Sequence, residues 1–360
     1  MINSENTNAP IEPSRHKRRI RYHGTHPRRF ADKYKELNPD SYTQDIEKVL
    51  ARGQTPAGMH RPICVTEILS ILAPCPGEIF LDATLGYGGH TQEIVKKLLP
   101  GGKLFALDVD PIELPRTESR LRKAGFTPEN LIIRKMNFAG ISALLNESGG
   151  GFDGVLADLG VSSMQLDSPA RGFSYKLDGP LDLRLNPQHT ISAVHLIETL
   201  PEKALTKLLI ENGDEPQAEK ICAAIKKSSR KITTTKALAE LIQNALQSTV
   251  KDPTEIKKSI QRTFMALRIA VNDEFGVLER FLNLLPWCLK PGGRVAILTF
   301  HSGEDRRVKK AFKMGLTEGL YTSIAPTPLR PSAAEQAGNP RSSCAKLRWA
   351  IRSDMLLTEC

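Results

Sequence analysis

The chain has 360 residues, 40% of them hydrophobic and 25% charged, with a formal net charge of +10. These values are typical of a folded protein with one large domain or two smaller ones, and no apolar run approaches the roughly 20 residues needed to cross a bilayer. The six cysteines form no C-x-x-C pair, which argues against a zinc site and favours reduced thiols in the cytoplasm. The excess of cations favours a polyanionic partner.

Residues 1–58 differ in composition from the rest of the chain. Between Arg15 and Lys35 there are nine lysines and arginines but one acid, Asp32, with histidines and tyrosines interleaved. No helical or strand periodicity accompanies these charges, so we interpret this segment as a mobile basic extension. Contact with RNA and a solvated tail without a function are both consistent with it.

A βαβ unit follows. A strand at 78–82 leads into the turn Gly86-x-Gly88-Gly89, a helix from about Thr91 to Leu99, and a second strand, Lys103–Asp108, that ends in a carboxylate. Glycine tolerates positive φ and a close backbone approach, and the following helix offers free N–H groups to an anion. Asp108 occupies the position at which such folds bind the ribose hydroxyls of an adenosine-containing cofactor. The spacing departs from the dinucleotide pattern G-x-G-x-x-G.

The α/β pattern continues and is then interrupted. A helix at 112–124, a strand at 130–135 and a strand Phe152–Asp158 complete the first half. From 164 to 265 the apolar residues follow helical spacing instead, which predicts an inserted helical domain between core segments 59–163 and 266–360. A strand at 294–300, a helix at 304–313 and two strands near 320–324 and 345–351 predict an antiparallel C-terminal hairpin.

Several ordered motifs carry a family resemblance. They are Met59-His-Arg-Pro-Ile63, Asp82-x-Thr-x-Gly-x-Gly-Gly-His90, Leu107-Asp-x-Asp-Pro111, Asp158-Leu-Gly-Val-Ser-Ser-x-Gln165, Arg171-Gly-Phe-Ser174, Asp178-Gly-Pro-Leu-Asp-x-Arg184 and Phe300-His-Ser-x-Glu-Asp-Arg306. With these motifs the chain resembles the bacterial 16S rRNA (cytosine-N4)-methyltransferases, the RsmH or MraW family. Gly303 and Met164 depart from the leucine and the proline usual there.

The resemblance implies a class I methyltransferase fold, which is an α/β, Rossmann-like fold, here with an inserted helical domain. It implies S-adenosylmethionine as the cofactor and a cytidine in the decoding centre of the small ribosomal subunit as the substrate. Carried over by position, the cofactor contacts are Gly88, Gly89, His90, Asp108, Phe138, Asp158 and Gln165. No metal is implied, and no feature of the sequence reports the oligomeric state.

Two residues are candidates for the chemistry itself. Methylation of a cytosine amine needs an acceptor for its N–H and in-line placement of the methyl group. Asp158 could accept that N–H, anchor the ammonium group of the donor, or cap the next turn. His301 ends a strand near the expected site. Ser302 and Asp305 have the spacing of a capping box for the following helix.

Three other functions compete with this interpretation. A DNA amino-methyltransferase would carry Asp/Ser/Asn-Pro-Pro-aromatic where this chain has Asp158-Leu-Gly-Val. A non-catalytic RNA-binding ribosome-assembly factor would not need the intact glycine turn and its two acids. A nicotinamide dehydrogenase would need the dinucleotide spacing. In the loop with Asp178, Asp182 and Arg184, substrate contact and a structural Asp–Arg ion pair are both consistent with the sequence.

Overall fold

A computed structural model describes residues 62–354, so the basic extension and the start of the first motif lie outside the described residues. Its strands are short apolar runs, because helices cover both faces of the sheet. The strands are β1 (Ile79–Asp82), β2 (Lys103–Asp108), β3 (Leu131–Lys135), β4 (Phe152–Asp158), β5 (Leu289–Thr299), β6 (Tyr321–Ile324) and β7 (Lys346–Arg352).

Twelve α-helices are present within residues 62–354, many with an apolar face at the i, i+3, i+4 spacing. They are α1 (Val65–Leu72), α2 (Gly89–Leu98), α3 (Glu113–Lys123), α4 (Ser163–Asp167), α5 (Ala193–Thr199), α6 (Glu202–Gly213), α7 (Ala218–Lys227), α8 (Thr235–Leu246), α9 (Pro253–Asn272), α10 (Glu274–Cys288), α11 (Ser302–Thr317) and α12 (Ala333–Gly338). Short 3-10 helices lie at Phe138–Leu144, Pro169–Arg171 and Pro340–Cys344.

The seven strands form one sheet in the order β3-β2-β1-β4-β5-β7-β6. The pairs among β1–β5 are parallel, whereas β7 pairs antiparallel with both β5 and β6. The predicted C-terminal hairpin is therefore confirmed, and with it the class I methyltransferase fold. All five parallel strands end at the same edge of the sheet, where such folds bind their ligands.

Each face of the sheet has its own hydrophobic core. On one face α1, α2 and α3 pack on Phe80, Leu104 and Leu156. On the other face the 3-10 helix at Phe138–Leu144, α10 and α11 pack on alternate strand residues such as Phe105 and Val155. Adjacent residues of one strand thus belong to different cores, as the two-residue period of a strand requires.

A third core holds the helices between β4 and β5. It contains the predicted helical faces of α7 and α8, and it also includes Phe264 and Leu267 of α9. The boundary predicted at 265–266 lies inside α9, which runs without a break from Pro253 to Asn272. One helix is therefore shared by the inserted segment and the end of the chain's core.

Strand β5 is longer than predicted. The sequence predicted a strand from 294, but the strand begins at Leu289. Leu289 already pairs with Phe152, and an irregularity in register separates this pair from the regular pairing that begins at Arg294. Within residues 62–354, no helix is long and apolar enough to cross a membrane.

Candidate functional site

Three carboxylates lie at the ends of three neighbouring strands. Asp82 ends β1, Asp108 ends β2 and Asp158 ends β4, and the sheet order places β1 between the other two. The three side chains therefore share one edge of the sheet. Because Asp82 is buried and the other two are half-buried, each carboxylate needs a hydrogen-bond donor close by.

The glycine turn wraps around this edge. Gly86 and Gly88 have positive φ angles of 48° and 76°. Gly88 is also crowded, because a Cβ there would lie 3.0 Å from a methyl group of Leu121. A Cβ on Gly89 would collide with the Pro62 ring, so this glycine lets the first motif pack against the start of α2. Gly88 and Gly89 thus have structural roles in addition to the predicted cofactor contact.

Asp82 holds the turn in place. It is almost fully buried, and its Oδ2 accepts a hydrogen bond from the Thr91 hydroxyl at 2.6 Å, while its Oδ1 accepts from the Thr84 N–H at 3.0 Å. Burial raises the pKa of this carboxyl, and the bond from Thr91 opposes that shift. The sequence showed Asp82 only as part of a motif. The structure shows its role in holding the turn, through the hydrogen bond from Thr91 on α2.

Asp108, the predicted ribose contact, accepts hydrogen bonds from two backbone N–H groups. Its Oδ2 accepts from the Gly86 N–H at 2.9 Å, and its Oδ1 accepts from the Asp110 N–H at 2.9 Å. Burial raises the pKa of Asp108 to about 6 despite these two bonds. Asp108 therefore shapes the glycine turn, and replacing it would disturb this backbone as well as the predicted cofactor contact.

Asp158 lies next to His90. Its Oδ2 is 3.5 Å from His90 Nδ1, and its backbone N–H donates to the Thr84 hydroxyl at 2.6 Å. The side chain is 28% exposed, but the Oδ1 atom is buried and accepts no hydrogen bond. Burial raises the pKa of Asp158 to about 6, against the favourable charge of His90. Oδ1 is thus a buried acceptor in need of a donor.

His90 is oriented by the first motif. Its Nε2 lies 2.9 Å from the carbonyl oxygen of Ile63, so this nitrogen must carry a proton and donate it. The second nitrogen, Nδ1, then lies 3.5 Å from Asp158 Oδ2. His90 thus connects the first motif to the end of β4. It is not the N-cap of α2, which is Gly88.

Phe138 and Gln165 flank the same strand edge. Phe138 begins the 3-10 helix after β3 and is partly buried, with its ring edge-on to Phe281 at a centroid distance of 5.1 Å. Gln165 is buried in α4, and its Oε1 accepts from the Ser162 N–H at 2.8 Å. Its Nε2 donates to Asp110 Oδ2 at 2.7 Å. Both residues lie on the elements that follow β3 and β4.

His301 is mostly buried and lies beside Phe275 and Glu304. Its side chain is 11% exposed, its ring centroid lies 5.8 Å from that of Phe275, and its Nε2 is 3.3 Å from Glu304 Oε1. Glu304 also accepts from the Phe300 N–H at 2.8 Å. Burial acts to raise the pKa of Glu304, but His301, the Phe300 N–H and Arg268 together hold it below the ordinary value.

A ligand set for a metal ion could be drawn from Glu274, His301 and Glu304, whose ligand atoms lie within 4.8 Å of one another. The guanidinium of Arg268, however, donates to both oxygens of Glu274, at 2.8 and 2.9 Å. This cation already balances the carboxylate.

The capping box predicted at Ser302 and Asp305 is wrong. His301 is the N-cap of α11 and makes no side-chain cap. The Ser302 hydroxyl donates instead to Asp214 at 3.0 Å. Asp305 accepts from Arg348 at 2.6 Å and from Lys346 at 2.8 Å. Strong partners from distant segments outcompete the local cap.

The departure at Gly303 has a physical reason. A Cβ on Gly303 would lie 2.5 Å from Cζ of Phe275. The Arg307 guanidinium stacks on the same ring, 3.5 Å from its centroid. Phe275 thus fills the space that a larger residue at position 303 would occupy.

The loop at 178–184 contains the ion pair that the sequence allowed. Arg184 donates to Asp182 at 2.6 Å through Nε and at 2.8 Å through Nη2. Asp178 accepts from the Lys236 N–H at the start of α8, at 3.3 Å. These side chains hold the loop against the helical segment.

Sequence comparison places this chain among known proteins. The profile of the MraW methylase family matches residues 57–353. The ribosomal RNA small subunit methyltransferase H 2 of Alkaliphilus metalliredigens is 55% identical over 343 residues, which cover 93% of this chain and 97% of that protein. The ribosomal RNA small subunit methyltransferase H 1 of Lachnoclostridium phytofermentans is 54% identical over 343 residues, covering 94% of this chain and 93% of its own.

These alignments cover 93% and 94% of the chain, which is more than residues 59–360 alone contain. They therefore extend into the basic extension, residues 1–58. Among solved structures, the S-adenosylmethionine-dependent O-methyltransferase of Thermotoga maritima aligns with a TM-score of 0.39 and 11% identity. That alignment covers 88% of this chain and 73% of the other.

The raised pKa values of Asp108 and Asp158 predict a pH dependence of donor binding. Because folding raises both from 3.8 to about 6, the stability that the protonated forms contribute is lost as the pH rises through that interval. Hydroxyl and ammonium donors favour the ionised forms. Affinity for S-adenosylmethionine should therefore increase by about tenfold per pH unit per carboxyl up to about pH 6, and then level off.

Isothermal titration between pH 5 and pH 8 measures this dependence. Asp108→Asn should weaken binding by about 2–4 kcal/mol, because a charge-assisted bond is lost, and should remove one carboxyl's share of the slope. Asp153→Asn, at the opposite end of β4, serves as the control with an unchanged slope. An affinity that stays constant from pH 5 to pH 7 in the unaltered protein would contradict both assignments.

Proposed function

The chain belongs to the MraW methylase family and is a methyltransferase whose cofactor is S-adenosylmethionine. We propose that its substrate is 16S rRNA of the small ribosomal subunit and that it methylates the exocyclic N4 amine of a decoding-centre cytidine. The names of the relatives, which are ribosomal RNA small subunit methyltransferases at 54–55% identity, support the RNA class. The observation that carries the chemistry is the buried Oδ1 of Asp158, which lacks a hydrogen-bond donor.

The residues of the strand edge fit the cofactor. Asp108 would accept from its ribose hydroxyls, Phe138 would contact its adenine ring, and the turn with Gly88, Gly89 and His90 would hold its amino-acid end. The carboxylates match hydroxyl and ammonium donors, and the free N–H groups at the start of α2 match a carboxylate. When bound, the cofactor supplies an electrophilic methyl group.

Catalysis then depends chiefly on position. The cytosine amine is a weak nucleophile because its lone pair is delocalised into the ring, so a fixed acceptor for its N–H assists attack. As the amine is methylated, one of its protons must leave. Asp158, whose pKa burial raises to about 6 and whose Oδ1 has no donor, can accept that proton, and His90 lies beside it. His301 remains a candidate at the rim of the site.

The same carboxylate could instead bind the ammonium group of the cofactor. One buried oxygen is available, so anchoring and amine contact compete for it. We favour anchoring as the dominant role, with a secondary effect on the rate, because the resemblance assigns Asp158 to the cofactor. A target cytosine must also leave its stack to reach this depth, at a cost of a few kcal/mol.

The inserted segment, 164–265, is proposed to contact the RNA. A basic segment, defined as residues 227–231 and called the basic loop, contains Lys227, Arg230 and Lys231; it begins at the last residue of α7 and continues into the connection to α8. All three side chains are exposed and, within residues 62–354, have no ion-pair partner. The next residues pair with the 178–184 loop, since the Leu181 N–H donates to the Thr233 carbonyl at 2.9 Å. The proposed RNA contact of the basic loop thus lies beside the 178–184 loop, which is connected to the predicted cofactor residues.

The function is tested by mass spectrometry of small-subunit rRNA from cells that lack this protein. We expect N4-methylation to disappear from one decoding-centre cytidine and to return when the gene is restored. A rRNA that keeps all of its methyl groups would contradict the proposal. Loss of a methyl group from DNA instead would favour the alternative that the protein is a DNA amino-methyltransferase.

Asp158→Asn separates the two roles of the carboxylate. Anchoring predicts a higher apparent KM for S-adenosylmethionine, with a smaller loss of rate at saturation, whereas amine contact predicts nearly normal cofactor affinity and a sharply reduced rate. Single-turnover kinetics at saturating cofactor distinguish these outcomes. Asp153→Asn on the same strand is the matched control. A variant unchanged in both affinity and rate would remove Asp158 from the site.

Neutralising the basic loop tests the RNA contact. Lys227, Arg230 and Lys231 are changed together to Gln, and each lost phosphate contact should flatten the log–log salt dependence of RNA binding by about 0.7–0.9. The control changes Lys309, Lys310 and Lys313 of α11, which are equally exposed, to Gln. Equal effects of the two triple changes would contradict a specific role for the loop, as would no effect of the first.

A further inference from the structure

A single buried carboxylate, that of Asp110, connects the inserted segment to the sheet edge that holds the predicted cofactor residues. Asp110 follows β2 by two residues, and its side chain is fully buried, with an exposed fraction of 0%. Its Oδ1 accepts from the N–H groups of Ile112 and Glu113, at 2.9 and 3.3 Å, at the start of α3. Its Oδ2 accepts from two side chains that lie far away in the sequence.

The first of these partners is Gln165. Its Nε2 donates to Asp110 Oδ2 at 2.7 Å, and its Oε1 accepts from the Ser162 N–H at 2.8 Å. Both ends of the amide are therefore fixed, which also assigns its orientation. Gln165 is one of the residues to which the family resemblance assigns a cofactor contact, and Asp110 determines where its N–H₂ group points.

The second partner is Arg171. Its Nη1 donates to the same Oδ2 at 2.8 Å, and its side chain is 9% exposed. Its Nη2 donates to the carbonyl oxygens of Arg184 and Leu185, at 3.2 and 2.7 Å. This guanidinium therefore fastens the end of the 178–184 loop to the end of β2.

Asp110 is also joined to the predicted ribose site. Its backbone N–H donates to Asp108 Oδ1, so the two acids form one continuous hydrogen-bonded turn. Breaking a buried pair by removing one partner is costly, because the remaining charge or donor is left unsatisfied. The buried contacts of Asp110 with Gln165 and Arg171 therefore fix two surfaces at once, namely the predicted cofactor site and the 178–184 loop.

We propose that Asp110 is a positioning residue that sets Gln165 for the cofactor and, through Arg171, sets the 178–184 loop for the RNA. This inference rests on the proposed function. It predicts that cofactor affinity and RNA recognition share one buried anion, so that a single isosteric change weakens both. Changes to the individual partners should weaken only one of them.

Asp110→Asn is the central variant. In either orientation its amide N–H₂ group faces other donors, either those of Gln165 and Arg171 or those at the start of α3. We expect the Kd for S-adenosylmethionine to rise about tenfold or more, and the KM for the small subunit to rise as well. Arg171→Lys keeps a cation at Asp110 but loses the fork to the loop carbonyls, so the subunit KM should rise while the cofactor Kd stays within about threefold.

Glu215→Gln is the matched control for lost stability. Glu215 is also a fully buried acid, bound by Arg262 at 2.7 Å and by Ser259 at 2.9 Å, and it lies in the helical segment. It should lower the urea midpoint as Asp110→Asn does while leaving the cofactor Kd unchanged. The comparison separates positioning from general stability.

The outcomes are distinct. If Asp110→Asn lowers stability like the control but binds the cofactor normally, Asp110 is a structural residue and the inference is overturned. If Asp110→Asn is too unstable to purify, an unchanged subunit KM in Arg171→Lys overturns it. Unaltered protein that binds no S-adenosylmethionine would overturn the proposed function, and this inference with it.

Discussion

The electrostatics of one sheet edge determine the arrangement of the surrounding chain. Asp82, Asp108 and Asp158 end adjacent strands, and three carboxylates of the same sign, one buried and two half-buried, repel one another. Backbone N–H groups of the glycine turn, two threonine hydroxyls and His90 compensate most of this charge. One buried oxygen of Asp158 is left without a donor.

The compensation reaches beyond the sheet. The compensating groups come from different segments: the first motif orients His90 beside Asp158, the glycine turn binds Asp108, and Gln165 of α4 binds the neighbouring acid Asp110. A ligand that enters this edge therefore meets groups already fixed in orientation. Such preorganisation lowers the cost of binding, because little side-chain freedom remains to be lost.

Much of the fold could be predicted, since the relevant information is local. Buried parallel strands are apolar runs that end in acids, and Lys103–Asp108 and Phe152–Asp158 were predicted with the bounds observed. The capping box at Ser302 failed because Asp214, 88 residues away, provides a stronger partner. Asp110 was equally hidden: Gln165 and Arg171, which define it, lie 55 and 61 residues further on. The fold brings such distant residues together, and their spacing along the chain does not indicate the contact.

The contact between Gly303 and Phe275 has a consequence for substitutions at position 303. Phe275 fills the space beside this position, and the Arg307 guanidinium lies 3.5 Å from the centroid of its ring. A leucine, which the family resemblance leads us to expect at 303, would have to displace that ring and disturb its contact with the guanidinium. The three residues are therefore packed as one unit, and a larger residue introduced at 303 alone would overpack it.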